Sequence, residues 1–258
     1  MKKRFLLLMM LFACIMSVAI AEGSVGGVLS IGDHVTMGTY PQTETGTDKT
    51  PIEWLILDVQ GDQALLISRY GLETKAYNTI EPTYVDVYGI LVTVYEPVDV
   101  TWETCTLREW LNEDFFDMAF TAEEQKAILT TDVDNSWEQR YVNWYTVGGN
   151  DTRDKVFLLS YAEANRYFNV TLFNNKNIIS RAAPTAYAEK KSYPDENKNT
   201  ADGTAASRWW LRSPGYHQYS AAYIDFDGSL SSVLADSECL LVRPVIWIDM
   251  SAIAQIPE

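Results

Sequence analysis

Along this chain strand-type segments come first, helix-type segments fill the middle, and strand-type segments return at the end. "GDHVTMGTYPQT", "PIEWLILDV" and "QALLISRYGL" are short runs of Val, Ile, Thr and aromatic residues bounded by Gly, Pro and Asp, the composition of strands. "GDQ" joins the second and third as a tight hairpin turn. "YVDVYGILVTVYEPV" alternates and is split by Gly89, which predicts a further hairpin, within residues 79–98, inserted before Thr101. Helix signals follow: Thr106 with Glu109, Thr121 with Glu124, and Ser160 with Glu163 each have capping-box spacing ahead of an apolar-periodic stretch. "KVFLLS" reads as a strand entering the third of these helices, and "APTAYAEKK" as a short helix with Pro184 in its first turn. Residues 189–206 are polar and rich in turn formers, the pattern of a surface loop. "RWWLRS", "AAYIDF", "SLSSVLA" and "LLVRPVIWI" then return to strands, with Asp227-Gly228 as a hairpin turn. Strands grouped apart from helices predict an α+β fold with antiparallel sheets, since a doubly wound parallel sheet would alternate them.

The first 21 residues form a separate unit. Lys2, Lys3 and Arg4 precede an apolar run from Phe5 to Val18 and the small-residue site Ala19-Ile20-Ala21, the pattern of a secretory signal peptide cleaved after Ala21. The run is short for a bilayer core, which needs about 20 residues. A second reading stays open: Leu11, Phe12 and Ala13 before Cys14 resemble a lipoprotein processing site, although Phe12 is bulky there. Residues 22–258 are long enough for one large domain with its own core. No later segment predicts a membrane span. Loss of the three leader cations makes the formal charge of −15 more negative still, which disfavours nucleic acid and anionic lipid as partners.

"RWWLRSPG", residues 208–215, is the most distinctive stretch. Side chains alternate across a strand, so Trp209, Leu211 and Ser213 share one face and Arg208, Trp210 and Arg212 the other. The first set predicts core. On the second, an indole between two guanidiniums suits cation–π stacking, with Arg212 a structural support and Trp210 facing a ligand. Beyond the Pro214-Gly215 turn, Tyr216, His217, Gln218 and Tyr219 sit on a loop between strands. Aromatic and amide side chains on a loop held by a rigid sheet suit sugars or peptides.

Residues of several other chemistries are present without an assembled motif. Cys105 and Cys239 follow the leader and permit one disulfide, which sequence alone leaves undecided. His34 and His217 are the only histidines, too few for zinc sites built on several imidazoles. Asn150, Asp151 and Asp154, the pair Asp195 and Glu196, and the pair Asp225 and Asp227 offer hard oxygen ligands, yet none has the spacing of a helix-loop-helix calcium loop. Asp225 and Asp227 also have a separation, about 7 Å if fully extended, that two hydrolytic carboxylates can use, although a turn accounts for them more simply. The sequons at Asn150 and Asn169 carry no weight beside a bacterial type of leader.

Taken in order, "GTYPQT", "IEWLILD", "TWETCTLREWLN", "NDTRDKVFLLSYAEANRYF", "APTAYA", "WWLRSPG" and "VRPVIWI" resemble the bacterial DUF6273 family from about Gly32 to Asp249. Residues 79–98 depart from that pattern. The resemblance implies an exported or surface protein with a C-type-lectin-like arrangement, related at the level of fold to the formylglycine-generating enzyme. The paired C-terminal cysteines of that enzyme have no counterpart here, because Cys239 stands alone. The Glu-Pro-Asn and Trp-Asn-Asp signatures of calcium-dependent lectins are absent too. The expectation is therefore a secreted, non-catalytic module binding a glycan or a surface protein through Trp210, Tyr216, His217, Gln218 and Tyr219. Trp209, Arg212 and Arg243 are its internal supports, and no metal ligand, cofactor or catalytic residue is assigned. An enzyme of the formylglycine-generating or carbohydrate-hydrolase type is the alternative.

Overall fold

A computed structural model describes residues 29–172, 178–192, 198–199 and 205–253. The leader with Cys14, the Asp195–Glu196 pair and most of the 189–206 loop lie outside the described residues. The protein is α+β, with mostly antiparallel sheets and short helices. In chain order the strands are β1 (His34–Tyr40), β2 (Thr50–Gln60), β3 (Gln63–Ser68), β4 (Glu73–Thr74), β5 (Thr83–Val87), β6 (Ile90–Val94), β7 (Thr131–Val133), β8 (Thr152–Asp154), β9 (Lys198–Asn199) and β10 (Ala205–Ala206). They continue with β11 (Trp209–Pro214), β12 (Ser220–Ile224), β13 (Leu230–Leu234), β14 (Leu241–Val242) and β15 (Val245–Asp249). The helices are α1 (Thr106–Trp110), α2 (Phe116–Ala119), α3 (Ala122–Ala127), α4 (Tyr161–Phe168), α5 (Ala186–Lys191) and α6 (Met250–Ile253). A π-type turn at Leu111–Phe115 joins α1 and α2.

One sheet runs β1-β2-β3-β15 and is antiparallel throughout. The other runs β13-β12-β11-β14-β4, with a parallel contact between β11 and β14. "LLVRPVIWI" thus forms two strands, because Arg243-Pro244 interrupts the run and sends its halves into different sheets. Proline has no N–H to offer a ladder. Its carbonyl still accepts from Ser68 N at 2.9 Å, which keeps β15 in register with β3. One contiguous apolar core includes Trp54, Trp102, Trp209 and Trp210, each fully buried.

The boxes at Thr121/Glu124 and Ser160/Glu163 form as spaced, each closing both of its hydrogen bonds. The one expected at Thr106 does not: Cys105 is the N-cap, and the Thr106 hydroxyl accepts from Thr79 N at 2.9 Å instead. Pro184 lies before the N-cap Thr185 rather than within the first turn of α5. "KVFLLS" is not a strand but an extended segment touching β15 through one bridge, Phe157 to Val245. Among the described residues β5 and β6 pair only with each other, around the turn at Tyr88 and Gly89.

Candidate functional site

All six residues of β11 are buried, since β12 and β14 flank it on either edge and both of its faces are covered. Trp209 lies inside as its position in the alternation predicts; its Nε1 donates to Ser180 O at 2.9 Å, and Phe168 meets it edge-on at 6.3 Å. Trp210 is inside as well, which removes it from the expected ligand contacts. Its Nε1 donates to Lys75 O at 2.8 Å, and its ring packs on Tyr77 at 5.7 Å. No guanidinium flanks it: Arg208 lies 5.8 Å from the Tyr223 ring and Arg212 5.9 Å from Phe157. Period-2 patterning separates two faces without saying whether one of them is wet.

Arg212, 2% exposed, forks onto the Glu163 carboxylate and donates to Leu158 O and Asp134 O, both at 2.9 Å. Glu163 is also the N3 residue of the Ser160 capping box, so one carboxylate fixes both the start of α4 and the centre of β11. Arg243 is buried between the Trp209 and Phe168 rings, 5.0 and 5.7 Å away, and donates through Nε to Ser68 O. Burial works against its charge and lowers its pKa.

Past Pro214 the chain emerges. Gly215 N bonds Ser220 O at 2.8 Å, and a Cβ at Gly215 would sit 2.5 Å from Ser220 Oγ, so the turn needs glycine. Tyr216 is 61% exposed, His217 meets it edge-on at 4.8 Å, and Tyr219 stacks on His217 at 5.0 Å. The Gln218 amide, expected to face a ligand, is hydrogen-bonded within the fold. Its Nε2 donates to Val100 O and Val147 O, and its Oε1 accepts from Val147 N, which spends the amide on holding a neighbouring loop. The Thr146 hydroxyl adds a bond to Gly215 O at 2.9 Å.

That neighbouring loop, residues 141–149, carries rings that the sequence reading missed. Tyr145 is 81% exposed, and Trp137, just before the loop, is 55% exposed and lies 6.3 Å from it. Beneath Trp137 the Arg140 guanidinium stacks at 3.3 Å. Gly148 is pressed against Asn135, whose carbonyl would lie 2.0 Å from an added Cβ. Two loops distant in sequence thus present Tyr145, Tyr216, His217 and Tyr219 from one stitched corner, with Trp137 beside Tyr145. The signal available in advance was the aromatic density of "SWEQRYVNWYTVGG", whose spatial partner no local pattern discloses.

A surface cleft lies against the Lys75 segment, which Trp210 of β11 supports from behind through its indole N–H. It is an open cleft of about 440 Å³ bounded by Thr74, Lys75, Thr106, Leu107, Trp110 and Glu238, among others. Lys75 places its ammonium 4.8 Å from the Trp110 ring centre. At one wall Lys191 donates to both Glu73 oxygens at 2.9 Å, and Tyr40 donates to the same carboxylate at 3.0 Å.

The residues weighed for other chemistries are engaged structurally. Cys105 and Cys239 are not joined in a disulfide, and burial pushes the Cys105 thiol up to about 12. Asp225 and Asp227 lie in the turn, not along a strand face; Arg208 holds the first at 3.1 Å, and Ser229 N and Oγ hold the second. Asp154 is buried among Trp102 Nε1, Arg108 and Thr152, while Asp151 accepts from Asn135 N and the Asn150 side chain donates to Glu103. Among the described residues no group of three or more His, Cys, Asp or Glu side chains is placed to hold a metal ion. Nor is any described helix long and apolar enough to cross a membrane.

Fold and site together define an α+β protein with a buried Trp-Trp strand, an exposed aromatic corner and a surface cleft. The chain belongs to the DUF6273 family, whose model, described as a domain of unknown function, matches residues 62–250. No curated protein and no solved structure matches the chain.

Proposed function

We propose that the protein is a non-catalytic binding module with a C-type-lectin-like arrangement, exported to the exterior of a bacterial cell, where it recognises a glycan. The reading rests on one observation: Tyr145, Tyr216, His217 and Tyr219 stand on two loops whose backbones are locked together by Gln218, Thr146 and Gly215, with Trp137 beside Tyr145 in the turn before the first loop. Leaving large rings in water forgoes about 25 cal/mol per Å² of burial, and contiguous patches of this sort mark interaction surfaces. Rings fixed before binding lose little entropy when a sugar's C–H face settles on them. Hydroxyls and the imidazole at the ring edges supply hydrogen bonds for the equatorial groups. The formal charge of −15 selects against phosphate polymers and leaves neutral saccharides free to approach. Export follows from the leader pattern ending at Ala21.

The test is a glycan array followed by calorimetry on hits, comparing the wild type with Tyr216→Ala and Tyr145→Ala. Both replaced rings are exposed, so melting temperature should hold while affinity falls on the order of tenfold or more. A blank array, or hits indifferent to both substitutions, would remove the glycan reading; capture of a protein by the same corner would make the ligand a protein. Mass spectrometry of the exported chain should find Glu22 at its N-terminus, whereas a modified Cys14 would mean a lipid anchor.

A further inference from the structure

We infer that the cleft at Lys75 is a second, separate binding site, built for a small zwitterion of the amino-acid or short-peptide type. Its geometry is independent of the aromatic corner, so failure of either reading leaves the other standing.

The argument begins with a cation whose backbone is fixed and whose head group is not. Lys75 is pinned from inside the fold by Trp210 Nε1 on its carbonyl and by its own N–H on Leu240 O at 3.3 Å. Its ammonium nevertheless has no carboxylate or hydrogen-bond partner among the described residues, although acidic side chains outnumber basic ones 35 to 20. It is instead drawn over the Trp110 ring, a contact worth about 0.5–1 kcal/mol at exposed sites and readily outbid by a carboxylate at hydrogen-bond distance. Lys191, the other cation of the cleft, is already neutralised by Glu73 and does not compete.

Glu238 lines the same cleft and is likewise without an ion-pair or hydrogen-bond partner among the described residues. The cleft therefore holds one uncompensated positive and one uncompensated negative side chain that do not pair with each other. The Thr74 hydroxyl, also without a partner among the described residues, adds a donor and acceptor. Leu107 and the indole of Trp110 give the remaining wall an apolar character. A ligand carrying a carboxylate and an ammonium a few ångströms apart satisfies both charges at once. A bare anion satisfies only Lys75 and is repelled by Glu238; a neutral sugar satisfies neither. The volume of about 440 Å³ is far larger than an inorganic ion needs and accommodates a dipeptide.

Calorimetry and amide chemical-shift mapping with the purified protein decide the matter, using alanyl-alanine, its N-acetyl form, its C-terminal amide, and inorganic phosphate as probes. The free dipeptide should bind and shift resonances around Lys75, Trp110 and Glu238, with each blocked form weaker by on the order of tenfold, because one charged hydrogen bond is lost. Lys75→Met should abolish the discrimination against the amide, and Glu238→Gln the discrimination against the acetyl form. Both side chains line an open cleft, so an unchanged melting temperature verifies that the variants fold. The inference is overturned if the free dipeptide gives no heat or shift up to about 10 mM, well above the weakest affinity worth the name. It is equally overturned if the blocked forms or phosphate bind as well as the dipeptide, or if neither substitution changes the ranking.

Discussion

Trp210 and Lys75 are joined across the fold by a hydrogen bond from the indole N–H to a main-chain carbonyl at 2.8 Å, between residues 135 apart in sequence. The contact turns the second tryptophan of "RWWLRSPG" from a surface platform into the rear support of a cleft. Trp210→Phe should retain most of the packing yet leave the Lys75 carbonyl short of a donor, costing about 1–3 kcal/mol, while Trp210→Ala should cost about 3–5 kcal/mol. Urea denaturation reads both. Neither change should affect the proposed saccharide binding at the aromatic corner in protein that remains folded.

Arg212 and Glu163 form a pair that is far more exposed at one end than the other, at 2% and 29% of side-chain area. Removing the guanidinium strands a carboxylate and two carbonyls, so Arg212→Met should destabilise by about 3–5 kcal/mol. Arg212→Lys should recover little of this, because one ammonium cannot reproduce a planar fork on Glu163 together with bonds to Leu158 and Asp134. Thermal melts of the two variants side by side check the ordering.

Cys105 supplies a pH dependence. Its thiol, also bonded to Trp102 O at 3.4 Å, is buried, and burial raises its pKa from an ordinary 9.0 to about 12. In the unfolded chain the thiol ionises first, so this contribution to stability is complete below pH 9 and is lost as pH rises toward 12. Over that window it amounts to about 1.4 kcal/mol per pH unit, and Cys105→Ala should flatten the decline by a comparable amount. Alkylation of the native protein at pH 8 should label Cys239, which is partly exposed, and spare Cys105.

Gln218 should behave as a loop clamp rather than a ligand contact. Gln218→Ala removes three hydrogen bonds to Val100 and Val147. The expected cost is about 1–3 kcal/mol, accompanied by faster hydrogen exchange at the Val147 and Val100 amides. Affinity for the proposed saccharide ligand should fall through lost preorganisation, with the entropy of binding becoming less favourable.

The hairpin of β5 and β6 should be dispensable for folding. Tyr84, Val85, Tyr88, Ile90 and Leu91 are all exposed, and the two strands pair with nothing else among the described residues. Replacing residues 80–97 with a short Gly-Ser linker should change stability by no more than about 1 kcal/mol. It should also reduce binding of a hydrophobic-surface dye, which fluorescence titration measures.

What could be read in advance followed from how local each determinant is. The two boxes at Thr121 and Ser160 are closed within four residues, and their spacing therefore suffices. At Thr106 the same spacing failed because Thr79, 27 residues earlier, claims the hydroxyl for its own N–H. Tyr216, His217 and Tyr219 were legible as a loop, but the rings of Trp137 and Tyr145 join them only through contacts spanning about seventy residues. Trp210 was misplaced for a similar reason: alternation is a property of one strand, whereas the covering of its second face comes from Tyr77 and Lys75. The cleft left no signature at all, since its cation, its indole and its carboxylate come from three unrelated segments.

The break at Pro244 also governs when the molecule can fold. β14 pairs with β4 and β15 with β3, so each sheet waits for a strand from the last twenty residues. Neither can be completed before the segment around Pro244 is in place, and closing such long loops is slow. Both sheets therefore gain their rigidity together, when one short segment reaches two partner strands far back in the chain.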